Sequence, residues 1–269
     1  MAFQNTKTTQ RLLTLLFLLV LIVAGWVRTY NLNWDKGTHL HPDERYLTMV
    51  ASALKPPASL ESYWDPAIST MNPTNQGYAG YVYGTFPLFV TRIVGGWLDT
   101  LCTTTVPLLQ EISSCTPGLY TGYGGIHLVG RALSAVTDLL TLIALAALAY
   151  QLFDEYIALL AGALYAFAVL PIQHSHFFVV DNFATLFVIW TLTLSVFAVL
   201  TGRRWPLLLA GITTGLAVAS KISTWPTALI VGAGGMLHYQ QKENHGTYKF
   251  DLDVPSLVTL IGSGVLAAV

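Results

Sequence analysis

Leu12 to Trp26 carries no charge, and it is the first of several such runs. Phe183 to Gly202 is also uncharged, and between Leu207 and Leu237 the only charged residue is Lys221. A hydrocarbon layer about 30 Å thick selects for stretches of this length and apolarity. Backbone inside such a layer must satisfy its own hydrogen bonds, so the runs predict helices. Composition points the same way. Of the 269 residues, 54% are hydrophobic and 10% are charged, against about 25% charged in a typical soluble domain. The net charge is −1 and no cluster of Lys and Arg stands out, which argues against nucleic acid as a partner. The expected fold is an all-α, polytopic transmembrane helix bundle of about six to seven spans.

Lys7 and Arg11 precede the first run, and bulky residues follow Trp26 where a signal cleavage site would need small ones. This predicts an uncleaved span over about 11–30 with a cytoplasmic N-terminus. Further spans are expected at about 126–152, 156–171, 182–201, 205–221 and 223–238. Ser256 to Val269 is apolar but too short to span, so 1–269 reads as one transmembrane domain cut from something longer.

The stretch 31–124, rich in Pro, Gly, Tyr and Thr, reads as a large extracytoplasmic loop with juxtamembrane helices. Pro42 to Leu54 has a proline at the first helical position and acids in the first turn. Leu60 to Gly80 reads as loop, and Tyr81 to Leu101 as an apolar helix interrupted by Arg92 and Asp99. If 81–101 lies along the membrane instead of crossing it, Arg203-Arg204 and the Lys242/Lys249 segment both fall inside, as the positive-inside rule requires. The same parity brings His39–Tyr46, His174–Asp181 and the 221–223 turn to one outer face of the plasma membrane. Cys102 and Cys115 then meet an oxidising compartment. A disulfide between them, on the order of 3 kcal/mol if unstrained, is one reading; two small hydrophobes is the other.

Chemistry concentrates in three places. Asp43 and Glu44 are either an ordinary acidic helix start or a carboxylate pair able to take a proton from an acceptor hydroxyl. Gln173-His174-Ser175-His176, followed by Asp181, repeats the design of His39-Leu40-His41 followed by acids. With His41, these histidines could hold substrate or a divalent cation, or simply pair at the interface, and Asp181 could equally cap a helix. Lys221 would cost roughly 2.5–3.5 kcal/mol at mid-membrane. It either snorkels at a tight outer turn or meets an anionic headgroup or leaving phosphate. Arg131 lies seven residues before Asp138, which suggests a pair within the bundle, with Arg131 also available to phosphate. The loop tyrosines and tryptophans (Tyr46, Tyr63, Trp64, Tyr78, Tyr81, Tyr83) read as interface anchors, one or two of which could stack on a sugar. No dinucleotide loop, Walker A motif or nucleophile elbow occurs, and no cofactor beyond a divalent cation is expected.

One span followed by a long loop opening with His41-Pro42-Asp43-Glu44-Arg45-Tyr46 resembles the polytopic GT-C glycosyltransferases. The resemblance is closest to the bacterial enzymes related to protein O-mannosyltransferases and to the aminoarabinose transferase of lipid A. Gly130-Arg131-Ala132-Leu133-Ser134 resembles the start of that family's second span, His176 to Asp181 its second outer-face aspartate, and Lys221 a lysine before an outer turn. Where many relatives carry Lys-Pro-Pro-Leu, this chain has Thr85-Phe86-Pro87-Leu88, so the phosphate contact would fall to Lys221, Arg92 or Arg131.

The resemblance implies a lipid-carrier-dependent glycosyltransferase using a polyprenyl-phosphate sugar donor among membrane lipids, with a lipid, protein or glycan as acceptor. It implies inverting transfer with Asp43 as base, and Glu44 and Asp181 orienting base, acceptor or cation. The rival expectation is a non-catalytic membrane scaffold or accessory subunit with the same fold.

Overall fold

The structure is a computed structural model that describes residues 7–104 and 116–243. The first helices are α1 (Lys7–Thr29), α2 (Pro42–Ala53), α3 (Leu60–Trp64) and α4 (Phe86–Thr104). They are followed by α5 (Ile126–Leu152), α6 (Glu155–Ala166), α7 (Val169–Ser175), α8 (Val180–Thr201), α9 (Trp205–Ser220) and α10 (Ala228–Glu243). No strand occurs among the described residues. The all-α expectation holds.

The helices α1, α5 and α8 are each long and apolar enough to cross a membrane. Helices α6 and α7 qualify together, as a pair bent by 58°. That bend replaces the straight span expected at 156–171. Pro171 has no N–H to donate, and its ring would clash with the carbonyl of Phe167 in a continuous helix. Helix α9, with 16 residues, is apolar but shorter. The span expected from 223 instead opens as a 3-10 turn, Ile222–Thr227, containing Pro226. By length and apolarity the described residues therefore offer three spans, or four with the bent pair, where six to seven were expected. Helix α4 is not among them.

Leu15, Leu19, Ile22 and Trp26 on α1 and Leu164 on α6 are exposed despite being apolar, as side chains facing lipid are. Inward, α1, α5 and α6 close around Ala24, Leu142 and Ala166, with Phe17, Leu21 and Tyr165 packed against them. Helices α8, α9 and α10 meet at Leu194, Ala210 and Val231. Hydroxyls join these helices where no water competes: Thr191 and Thr213 lie 2.8 Å apart, and Asn182 donates to the Ser134 carbonyl at 3.2 Å.

A third cluster joins α2, α4, the start of α5 and the 178–180 segment through Leu47, Val50, Leu54, Met71, Leu88, Ile126 and Phe178. Each leucine buried there contributes roughly 1.5–3 kcal/mol relative to water. This cluster is what holds the 31–104 segment against the bundle. A groove of about 570 Å³ lies at the other end of α1 and α5, where Gln10, Phe17, Tyr150 and Leu159 line it.

Candidate active site

Helix α2 begins where the sequence places it. His41 is the N-cap, its Nδ1 accepting from the Glu44 amide at 3.4 Å, and Pro42 occupies the first turn. Adjacent residues on a helix point about 100° apart, so the two acids part company. Asp43 is exposed and Glu44 is fully buried.

Glu44 is held from two sides. Arg131 Nε donates to Oε1 at 2.7 Å and Nη2 to Oε2 at 2.6 Å, a two-point pair. The Phe178 amide donates to Oε1 at 2.8 Å. Arg131 also donates to both oxygens of Asp35, at 3.0 and 2.9 Å, and to the Leu32 carbonyl at 2.6 Å. Its guanidinium is fully buried, with its charge spent on these partners and on the face of Trp34, 5.5 Å from the ring centroid. Burial alone would raise the Asp35 pKa. The bonds and charge of Arg131, with amide bonds from Gly37 and His39, outweigh it and bring the carboxyl down to about 2. Arg131 thus pairs with Glu44 and Asp35, whereas Asp138 binds Arg28 instead, and Tyr165 Oη donates to the other Asp138 oxygen at 2.6 Å. Arg28 further donates to the carbonyls of Ala166 and Tyr165 at the bend between α6 and α7.

The histidines are engaged elsewhere. Both ring nitrogens of His176 face carbonyls, Ile172 at 2.8 Å and Tyr30 at 3.0 Å. His41 spends Nδ1 on its cap and packs its ring on Phe177. His174 lies half-buried in the last turn of α7. No group of three or more His, Cys, Asp or Glu among the described residues could hold a metal ion. His39, buried at a φ of +50°, stacks edge-on against His127, and the nitrogens of both rings have no partner. Burial pushes the His39 pKa down, and the repulsion of Arg131 adds to it against the attraction of Glu44 and Asp35.

Asp181 does not cap α8. It lies in the first turn, one residue inside a start that has no side-chain cap, and pairs with Lys221 Nζ at 2.6 Å. Lys221 ends α9. Both side chains stay open to solvent, 42% and 37% exposed. Tyr83 lies between this pair and Asp43. Its Oη donates to Asp43 Oδ1 at 3.4 Å, and the charges of Asp43, Asp181 and Lys221 all reach it. Arg92 is turned aside, with Nε on the Leu54 carbonyl at 2.6 Å. Of the expected disulfide, Cys102 is half-buried near the end of α4, and Cys115 lies outside the described residues.

The structure therefore brings together Asp43, Asp181 and Lys221 as open groups, and Glu44 and Arg131 as a buried strut behind them. Sequence reasoning missed Asp35, Arg28 and the particular tyrosine at the centre. One aromatic among several that read as interface anchors gives no signal of its own.

Residues 124–241 match the sequence model of the dolichyl-phosphate-mannose-protein mannosyltransferase family. The matched stretch contains Arg131, Asp181 and Lys221 but not Asp43. No curated protein and no solved structure matches the chain. The family match supports placing this chain in the GT-C superfamily of membrane glycosyltransferases.

Proposed function

We propose that the protein transfers a sugar from a polyprenyl-phosphate carrier to an acceptor hydroxyl, with inversion, at the outer face of the membrane. Asp43 accepts the hydroxyl proton as the acceptor oxygen attacks the anomeric carbon. The bond from that carbon to the phosphate oxygen breaks, and its electron pair leaves with the polyprenyl phosphate. Lys221 stabilises the charge that develops there. Asp181 holds Lys221 until the phosphate arrives and then orients the acceptor. Glu44 and Arg131 act behind this site by fixing the entry of α2 against the turn before α8.

The observation that carries the reading is the contrast between the two neighbouring acids. Asp43 is free to meet a substrate on the side where Lys221 and Asp181 are exposed, while Glu44 is committed to Arg131. Arg92 could serve the phosphate only by leaving the Leu54 carbonyl, which makes Lys221 the better placed cation. A donor that cannot leave the bilayer fits a site at the end of a bundle whose flanks are apolar.

The test uses the full chain in nanodiscs with dolichyl-phosphate mannose as donor probe. Asp43→Asn should abolish mannose release while the thermal transition stays in place. Lys221→Ala should remove the thermal stabilisation that dolichyl phosphate gives the wild type. Normal turnover in Asp43→Asn would sink the assignment.

A further inference from the structure

Tyr83 is the point where the two halves of the site touch, and its placement is built from several directions. Gly84 beside it donates its amide to the Ser220 carbonyl at 3.2 Å. A Cβ at Gly84 would stand 1.9 Å from the Ala219 carbonyl oxygen, so only glycine lets the loop come this close to the residues before Lys221. From the other side, Tyr81 Oη donates to the Gly84 carbonyl at 2.9 Å. The rings of Tyr81 and Tyr83 meet edge to face at 5.9 Å, and both pack on the cluster formed by Leu47, Val50 and Phe178. The ring of Tyr83 is thereby fixed in the seam between α2 and the end of α9. Its hydroxyl faces Asp43 Oδ1.

We propose that Tyr83 is a positioning residue for Asp43. Its hydroxyl donates to one carboxylate oxygen and leaves the other to take the acceptor's proton. This rests on Asp43 being the base. Burial, then the Asp43 charge, push the Tyr83 pKa above its ordinary value, so the phenol keeps its proton and remains a donor. At 3.4 Å the bond is long, as catalytic hydrogen bonds often are before substrate closes the site. A hydrogen bond to the charged form of a carboxyl favours that form, so removing the donor must make Asp43 easier to protonate.

The measurement is the pH dependence of Asp43 modification by dicyclohexylcarbodiimide, which reacts with the protonated carboxyl, mapped by peptide mass spectrometry. In Tyr83→Phe the labelling midpoint should rise, while Tyr78→Phe, whose hydroxyl is spent on the Met49 carbonyl, leaves it where it is in the wild type. Identical midpoints in Tyr83→Phe and wild type overturn the proposal. Should Tyr83→Phe lose its thermal transition, 3-fluorotyrosine at position 83 keeps the shape and donates more strongly. The midpoint should then fall, and an unmoved one overturns the proposal equally. Turnover of dolichyl-phosphate mannose is read in parallel and should drop in kcat with KM unchanged. A wild type inactive on that donor counts against the proposed function, while the labelling midpoint still decides the role of Tyr83.

Discussion

Glu44 and Arg131 form a two-point ion pair in which neither side chain has any exposed surface. Breaking such a pair from one side leaves a buried charge alone and costs about 3–5 kcal/mol. Glu44→Gln and Arg131→Met should each lower the unfolding temperature markedly in detergent. Asp43→Asn, one residue away but exposed, should change stability by no more than about 0.5 kcal/mol. An Arg131 variant with wild-type stability would show that the guanidinium is not the strut described above.

The second pair, Arg28 with Asp138, ties α1 to α5. Removing one partner strands the other, whereas removing both leaves an apolar contact in which the Tyr165 hydroxyl and the Ala166 carbonyl lose their partners without an uncompensated charge. Arg28→Met and Asp138→Leu should each be strongly destabilising, and the double variant less so than the sum by about 1–3 kcal/mol. Additive losses in thermal unfolding would contradict a direct coupling.

Two glycines separate stability from positioning. A Cβ on Gly130 would lie 2.2 Å from the Phe178 ring, and the Phe178 amide is one of the ligands of Glu44. Gly130→Ala should therefore destabilise by about 1–3 kcal/mol, as overpacked core sites do. Gly84→Ala meets backbone at the rim instead. It should cut turnover on dolichyl-phosphate mannose at least tenfold while moving the unfolding temperature less than Gly130→Ala does.

Acid should act in two stages. His39 is held neutral by burial in the folded state, while the unfolded chain takes up a proton there near pH 6.5. The unfolded state then binds more protons, so stability falls as pH drops below about 6.5. Asp35 keeps its contribution above its unfolded value and loses it as pH falls toward about 2, on the order of 2 kcal/mol in all. His39→Asn, which tolerates the positive φ and does not titrate, should shrink the upper stage in a Tm-against-pH series without abolishing it, because the buried His127 ring beside it also lacks partners, and should leave the lower one.

Much of this was legible before any coordinates. The start of α2 announces itself through Pro42 and two acids, and parity along the apolar runs brings Asp43, Asp181 and Lys221 to one end. Pairings were harder. Arg131 and Asp138 share a face but lie about 10 Å apart along the helix axis, too far to touch, so each found a partner on another segment. Nothing local could assign Glu44 to Arg131, 87 residues away, or decide which of two adjacent acids turns inward. Nor could spacing foresee that both ring nitrogens of His176 would face carbonyls. Single cysteines at positions 43 and 174 should react alike with an impermeant maleimide, opposite to one at 203; position 44 is too deeply buried to report.

The strut that fixes Glu44 also sets an order of events during synthesis. Glu44 leaves the ribosome 87 residues before Arg131 and 134 before Phe178. At about 5–20 residues per second, its first partner is roughly 4 to 17 seconds behind it. Until then the carboxylate has to stay in water, and α2 cannot dock. No shorter N-terminal piece can hold the acidic turn in its final place. Glu44 reaches its final surroundings only once α5 and the turn before α8 have closed over it.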